Sequence, residues 1–289
     1  MLATELALAE ASVLVLDKLR ERRGQSKALN LQPRTAEVFD LRGLLDRAEE
    51  RALSHVPDGH FAGLILDYAA LGTRHPYQVG IPQGRVEEVL EERLNSYGVQ
   101  VRRDRELTEF SQDEDGVEVI TGSERLRAKY LVGCDGGRSV VRKQLGVGFP
   151  GLDASQYGTV ADVLLEVSSA GVPMVWTSMR NLTRRRDDGS FAGLIPLGEP
   201  GLFRLVYAQA GVVIDDQRAP VPDAEIDAVL RSSTAKKSRS RASAGLPGSA
   251  TRHVRPRSTA SAECCWPAMP RTSTCRPVVR VSTSACRMR

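Results

Sequence analysis

The sequence predicts a mixed α/β fold, in which helices alternate with buried parallel strands and a mainly antiparallel sheet is inserted. Three observations predict it. "SVLVLDK" (12–18) and "YLVGCDG" (130–136) are continuous apolar runs too short for helices, as suits strands covered on both faces. "GRVEEVLEERLNSYG" (84–98) places Val86, Val89, Leu90 and Leu94 on one helical face and ends on Gly98. Residues 155–166 and 190–214 alternate between Gly and Pro breaks, in the manner of antiparallel strands.

The other elements follow in order. "MLATELALAEA" is built of strong helix formers, with Leu2, Leu6 and Ala9 on one face. "PRTAEVFDLRGLLDRAEERA" (33–52) has helical spacing, with a break expected at Gly43. From residue 99 the chain alternates as strands, turning at "DEDG". A βαβ unit normally opens on a strand and a Gly-rich turn, whereas this chain reads as starting within the crossover helix. The chain has 289 residues, enough for one large domain or two ordinary ones. Only Cys134 lies outside the last stretch of sequence, which argues against a disulfide framework and for a reducing, cytoplasmic setting. No apolar run approaches the roughly 18 residues a membrane span requires, and His55, His60, His75 and His253 have no metal-site spacing.

Charge is unevenly spread. The net charge is +4, yet residues 235–289 carry 12 Lys/Arg against the single acid Glu263, leaving 4 − 11 = −7 for the remainder. Such a tail is too polar to bury a core and is expected to be disordered. A nucleic-acid role would suit its charge, but it has no folded motif, and Cys264, Cys265, Cys275 and Cys286 lack the two short-gapped pairs of a zinc site.

Two acids stand out. Asp17 ends the first buried strand, the position from which a carboxylate bonds the ribose of a dinucleotide; a solvated strand-end acid is the alternative. Asp135 ends a second one and is followed by Gly136 and Gly137, which let backbone approach a ligand closely. "RSVVRKQLG" then opens a helix whose N-terminus, with Arg138, favours anionic oxygens.

The full string "YLVGCDGGRSVVRKQLGVGFPG" resembles the Asp–Gly motif of the FAD-dependent aromatic hydroxylases, the class A flavoprotein monooxygenases. "MLATELALAEASVLVLDK", "QSKALNLQPRTAEVFDLRGLL", "IPQGRVEEVLEERL" and "GLIPLGEPGLFRLVY" are similar to further segments of that family, in the manner of its bacterial aromatic polyketide members. The resemblance covers about residues 1–230. It implies a Rossmann-like FAD-binding domain, incomplete here, over residues 1–58 and 81–152. Substrate-domain strands would occupy 59–80 and 153–231, with an out-of-frame tail over 232–289. It also implies FAD and NAD(P)H as cofactors and a small aromatic substrate, with neither nucleic acid nor membrane as partner. Asp17, Lys18, Lys27, Gln83, Asp135, Gly136 and Arg138 would line the cofactor, with Lys27 standing where the family commonly has Arg. No side chain is implied as a nucleophile.

The family's third motif, a Gly–Asp followed by a His/Pro/Gly-rich loop, is missing. Back-translated with G/C-rich codons and read from the third base, residues 247–289 contain it as "GRVLLAGDAAHVHLPAGGQGLDVGVQDA". The expectation is therefore a hydroxylase chain shifted out of frame near residue 232, holding FAD poorly or not at all and inactive as written. The alternative is a non-catalytic remnant that serves as a binding module for polycyclic aromatics.

Overall fold

The computed structural model describes residues 1–22, 28–61, 64–151, 154–165, 175–178, 183–185, 189–208, 221–233, 251–256 and 278–282. The chain divides into two compact units, each assembled from separated stretches. The first takes residues 1–23, 87–152 and 258–287, and the second takes 24–86 and 153–257 with the last two residues.

In the first unit helix α1 (Leu2–Leu8) leads into strand β1 (Val13–Asp17). β1 runs parallel to β7 (Val101–Arg102), Val15 facing Val101. The helix between them in sequence, α4 (Gln83–Ser96), ends as its glycine predicts: Gly98 adopts φ +73, a left-handed turn that costs a residue with a Cβ strain. Ala3, Val15 and Leu94 are buried together, with Val13, Val99 and Val101 packed against them. The spacing that put Leu94 on the apolar face of α4 thus returns as contact with the sheet.

A second layer is the antiparallel meander β8 (Leu107–Asp113), β9 (Gly116–Thr121) and β10 (Glu124–Ala128), followed by β11 (Tyr130–Cys134). Leu107, Val117, Val119 and Ala128 bury one face of it together with Leu16 of β1 and Val141. At its turn Asp113 accepts a hydrogen bond from Arg127 and from the backbone amides of Asp115 and Gly116. The Arg127 bond, more than the amides, holds the Asp113 carboxyl down at about 2. Because that value lies below the unfolded one of about 3.9, the contribution is complete only above about pH 5 and is lost as pH falls through about 2. Urea midpoints measured from pH 5 to pH 2 are expected to fall less steeply for Asp113→Asn than for wild type; parallel curves would contradict this.

The tail contributes described backbone at two places. Strand β17 (Val278–Ser282) lies between β1 and β11, parallel to both, giving the order β11-β17-β1-β7. Strand β16 (Thr251–Pro256) pairs antiparallel with β12 (Ala154–Leu164) in the second unit. Val278, Val279 and Val281 make β17 rich in β-branched residues, which suit a pleated surface.

The second unit is built on a five-stranded antiparallel sheet of order β13-β14-β15-β12-β16, where β13 is Thr183–Arg185, β14 Phe191–Pro196 and β15 Leu202–Ala208. Helix α6 (Asp223–Ser233) supplies Ile226, Val229 and Leu230 to one face of it, against Phe203, Leu205 and Tyr207. The same unit holds β2 (Asn30–Leu31), α2 (Pro33–Leu41), α3 (Leu45–Glu49), β3 (Ser54–Val56), the hairpin β4 (Asp58–Phe61) and β5 (Leu64–Asp67), and β6 (Gln78–Gly80). The break expected at Gly43 falls between α2 and α3.

Candidate functional site

The parallel sheet sets two carboxylates at one edge. Asp17 pairs in register with Ser282, and Ser282 with Cys134, so β1 and β11 end level with one strand between them. Two strand spacings amount to about 10 Å. The apolar runs that bury β1 and β11 are therefore what bring Asp17 and Asp135 to the same carboxyl edge, where open α/β sheets receive their ligands.

Asp17 is 4% exposed. Its Oδ1 accepts the Leu19 amide at 3.0 Å and its Oδ2 accepts Arg103 Nη1 at 3.4 Å. Arg103 in turn forks onto Glu91 of α4 at 2.9 and 3.1 Å, and Arg22 reaches Glu88 and Glu91. The buried charge is thus compensated by a cation that is itself anchored to α4, which keeps the Asp17 carboxylate oriented. Lys18, 40% exposed in its side chain, meets only Glu106 among described acids, at 3.5 Å.

Asp135 follows β11 directly and precedes the short helix α5 (Val140–Gln144). Its Oδ2 accepts the amides of Val140 at 2.6 Å and Val141 at 3.2 Å, while Ser139 Oγ accepts that of Arg142 at 2.9 Å. Three of the amides expected to face an anion are therefore already bonded within the protein. Arg138 is exposed, and Gly136, at φ +77, makes the turn that a residue with a Cβ would strain. The tightness of this strand–turn–helix shows at Gly133 as well, where an added Cβ would lie 2.9 Å from the Val141 side chain.

Gln83 belongs to the second unit. Its backbone N–H donates to the Ala28 carbonyl at 2.9 Å and its side-chain Oε1 accepts the Ala28 backbone N–H at 3.2 Å, so it clasps the segment that follows Lys27. Lys27 itself lies outside the described residues. Two residues with a part in the architecture escaped the sequence: Arg103, one of several arginines in "VRRDRE", and Ser139, whose cap is written in "SVVR" and was legible there. Among the described residues no group of His, Cys, Asp and Glu could hold a metal ion, and no helix is long and apolar enough to cross a membrane.

A buried acid at the end of a parallel strand, level with a strand–turn–helix from which one strand separates it, is a nucleotide-binding arrangement. Comparison with known proteins agrees. The model of the family described as FAD binding domain matches residues 1–246. Rifampicin monooxygenase from Streptomyces venezuelae is 41% identical over 225 residues, which are 77% of this chain and 46% of that protein. The 12-dehydrotetracycline 5-monooxygenase/anhydrotetracycline 6-monooxygenase of Streptomyces rimosus is 39% identical over 236 residues, 80% of this chain and 46% of that one. Among solved structures, an anhydrotetracycline hydroxylase from Streptomyces rimosus superposes with a TM-score of 0.70 at 34% identity, covering 88% of this chain and 49% of the other. The chain belongs to the FAD binding domain family, and these relatives are, by their names, monooxygenases or hydroxylases. It spans about half the length of the curated relatives it matches.

The residues present fit the cofactor of that family. Asp17 is an acceptor-only carboxylate fixed at the strand end where the adenosine ribose needs a partner for its hydroxyls.

Proposed function

We propose that the chain is the flavin- and substrate-holding portion of an FAD- and NAD(P)H-dependent monooxygenase that hydroxylates an aromatic substrate of the polyketide kind. The observation that carries the reading is the placing of Asp17 and Asp135 at one carboxyl edge of the parallel sheet. When bound, FAD supplies the redox and oxygen chemistry. The protein's part is to hold and orient it. In this reading Asp17 accepts hydrogen bonds from the ribose, with Arg103 and the Leu19 amide fixing its carboxylate. Asp135 acts chiefly as a positioning residue: by tying the amides of α5 it holds the Gly136 turn, whose backbone would lie against the cofactor. Arg138, exposed beside that turn, is free to swing toward anionic oxygens, and Lys18 offers a second cation at the same edge. We take Gln83 and Lys27 as cofactor-binding on the family resemblance, and the antiparallel sheet of the second unit as the substrate side. The notion of an inserted substrate domain rests on the same division of the chain.

Flavin titration tests this. FAD fluorescence is expected to be quenched by the purified chain, weakly, and Asp17→Ala is expected to lower the affinity about tenfold or more, the loss of one or two hydrogen bonds to a charged group. Equal affinity in both proteins, or none in wild type, would refute it.

A further inference from the structure

Five side chains of the second unit form a hydrogen-bonded row that the flavin reading does not use. The row begins on α2, where Asp40 Oδ2 lies 2.9 Å from Nε2 of His75. Nδ1 of the same imidazole lies 3.3 Å from the hydroxyl of Tyr77, and that hydroxyl donates to Glu49 Oε1 of α3 at 3.2 Å. Glu49 Oε2 then meets Nε2 of His55, on β3, at 2.8 Å. The Tyr77 ring stands edge-on to both imidazoles, its centroid 4.7 Å from that of His55 and 6.0 Å from that of His75. His55 is exposed over about half of its side chain, whereas His75 is buried.

The row has too few hydrogens for a neutral His75. The bond from His75 holds the Asp40 carboxyl below the usual carboxylate range, with Arg74 adding to the effect. Asp40 is therefore ionised and accepts, so Nε2 of His75 carries a hydrogen. Burial, and after it the Glu49 charge, raises the Tyr77 phenol, which thus keeps its one proton. When Tyr77 gives that proton to Glu49, its oxygen meets Nδ1 of His75 as an acceptor, and Nδ1 must carry a hydrogen too. All the contacts are satisfied together by the imidazolium. In a neutral His75 the bare Nδ1 competes with Glu49 for the phenol proton, and one of the two bonds is lost. The neighbouring charges have the sign a cation needs. Asp40 and Glu37 approach from α2 and Glu49 from α3, while Arg34 is turned onto Glu37 at 2.6 Å and the exposed Arg74 onto Asp40 at 3.4 Å.

What the row fastens is residues 74–77, a run that is neither helix nor strand. It leads directly into β6, the middle strand of a three-stranded sheet of order β2-β6-β3, and from there to the clasp of Gln83 on Ala28. We propose that His75 is a proton-operated latch, whose imidazolium ties residues 74–77 to α2 through Asp40 and to α3 through Tyr77 and Glu49, and whose neutral form lets that run loosen. The sign follows from the proton the closed latch needs. Its contribution is present on the acid side and is lost as pH rises through about 5 to 8, the window in which imidazoles change charge. His55 faces Glu49 through a hydrogen on Nε2, which a neutral ring also supplies, so it is a fixed end of the row and not the switch.

Hydrogen exchange of the full chain, read by mass spectrometry at about pH 5.5 and about pH 7.5, on either side of the ordinary imidazole value, tests the latch. After correction for intrinsic exchange, the amides of residues 73–80 in wild type are expected to lose protection about tenfold on going to the higher pH, the equivalent of one hydrogen bond to a charged group. Strands β8 and β9, in the other unit, are expected to keep theirs. His75→Gln retains an amide donor for Asp40 that does not titrate, and its protection is expected to be the same at both pH values. Tyr77→Phe keeps the ring between the imidazoles and removes the joint to Glu49, so its change is expected to be smaller than in wild type. His55→Gln is expected to keep the full change. Circular dichroism at both pH values checks that each variant is folded. If His75→Gln does not fold, Tyr77→Phe decides, and an undiminished change there refutes the latch. Protection in wild type that is indifferent to pH, a change that persists in His75→Gln, or one that vanishes in His55→Gln instead would each overturn it.

Discussion

Asp162→Ala is expected to destabilise the antiparallel unit by about 3 kcal/mol or more, enough to unfold a marginal domain. The carboxylate now takes two of the guanidinium nitrogens of Arg204, whose side chain is 3% exposed. Removing it leaves a buried cation with no partner and no path to water, because Arg204 is flanked by Leu202 and Val206 and faces Ile195. Double replacement by Met and Leu removes the charge with its partner and is expected to restore most of the loss. Chemical denaturation of the three proteins measures it. A single variant as stable as the double would show that the ion pair contributes nothing specific.

The second large effect is expected at Asp135. Its Oδ2 accepts two consecutive amides of α5, and the residue is 7% exposed. Asp135→Ala strips both bonds to an ionised acceptor inside a buried turn, a loss of about 2–4 kcal/mol. Asp135→Asn keeps an acceptor oxygen without the charge and is expected to recover roughly half. α5 is only five residues long, and without the two Asp135 bonds its first turn keeps only the Ser139 cap on the Arg142 amide. Hydrogen exchange at the Val140 and Val141 amides is the direct readout, since these lose their acceptor. Protection unchanged in the Ala variant would mean that the carboxylate does not organise the turn.

The regular elements of the fold were legible for a physical reason. Periodicity survives in the letters wherever a helix or strand buries one side: α4 and β1 appeared where their apolar spacing put them, and Gly98 closed the former. The acids at the sheet edge were also visible, because strand ends are where apolar runs stop. What stayed hidden depended on partners far apart in sequence. Nothing in "VRRDRE" distinguishes Arg103, which meets Asp17 across a separation of 86 residues, from its neighbours. Arg204 reads as an exposed strand position until Asp162 on another strand is set beside it. The role of Asp135 shifted for the same kind of reason: the letters suggested helix amides open to an anion, whereas the side chain that announces the motif already occupies two of them. The pairing of tail strands β16 and β17 stayed hidden because their partners lie far away in sequence.

Neither compact unit is a continuous stretch of chain: β1 must wait for β7, and residues 24–86, which lie between the two in sequence, belong to the other unit. On the ribosome, the strand that carries Asp17 therefore emerges long before the one it pairs with, and its apolar edge stays open while a different unit is being made. Such an order favours slow, non-local closure and makes the nascent chain a client for chaperones. It also means that no single cut in the gene yields either unit by itself. Each of the two can be obtained only by joining ends that nature keeps apart, or by making the whole.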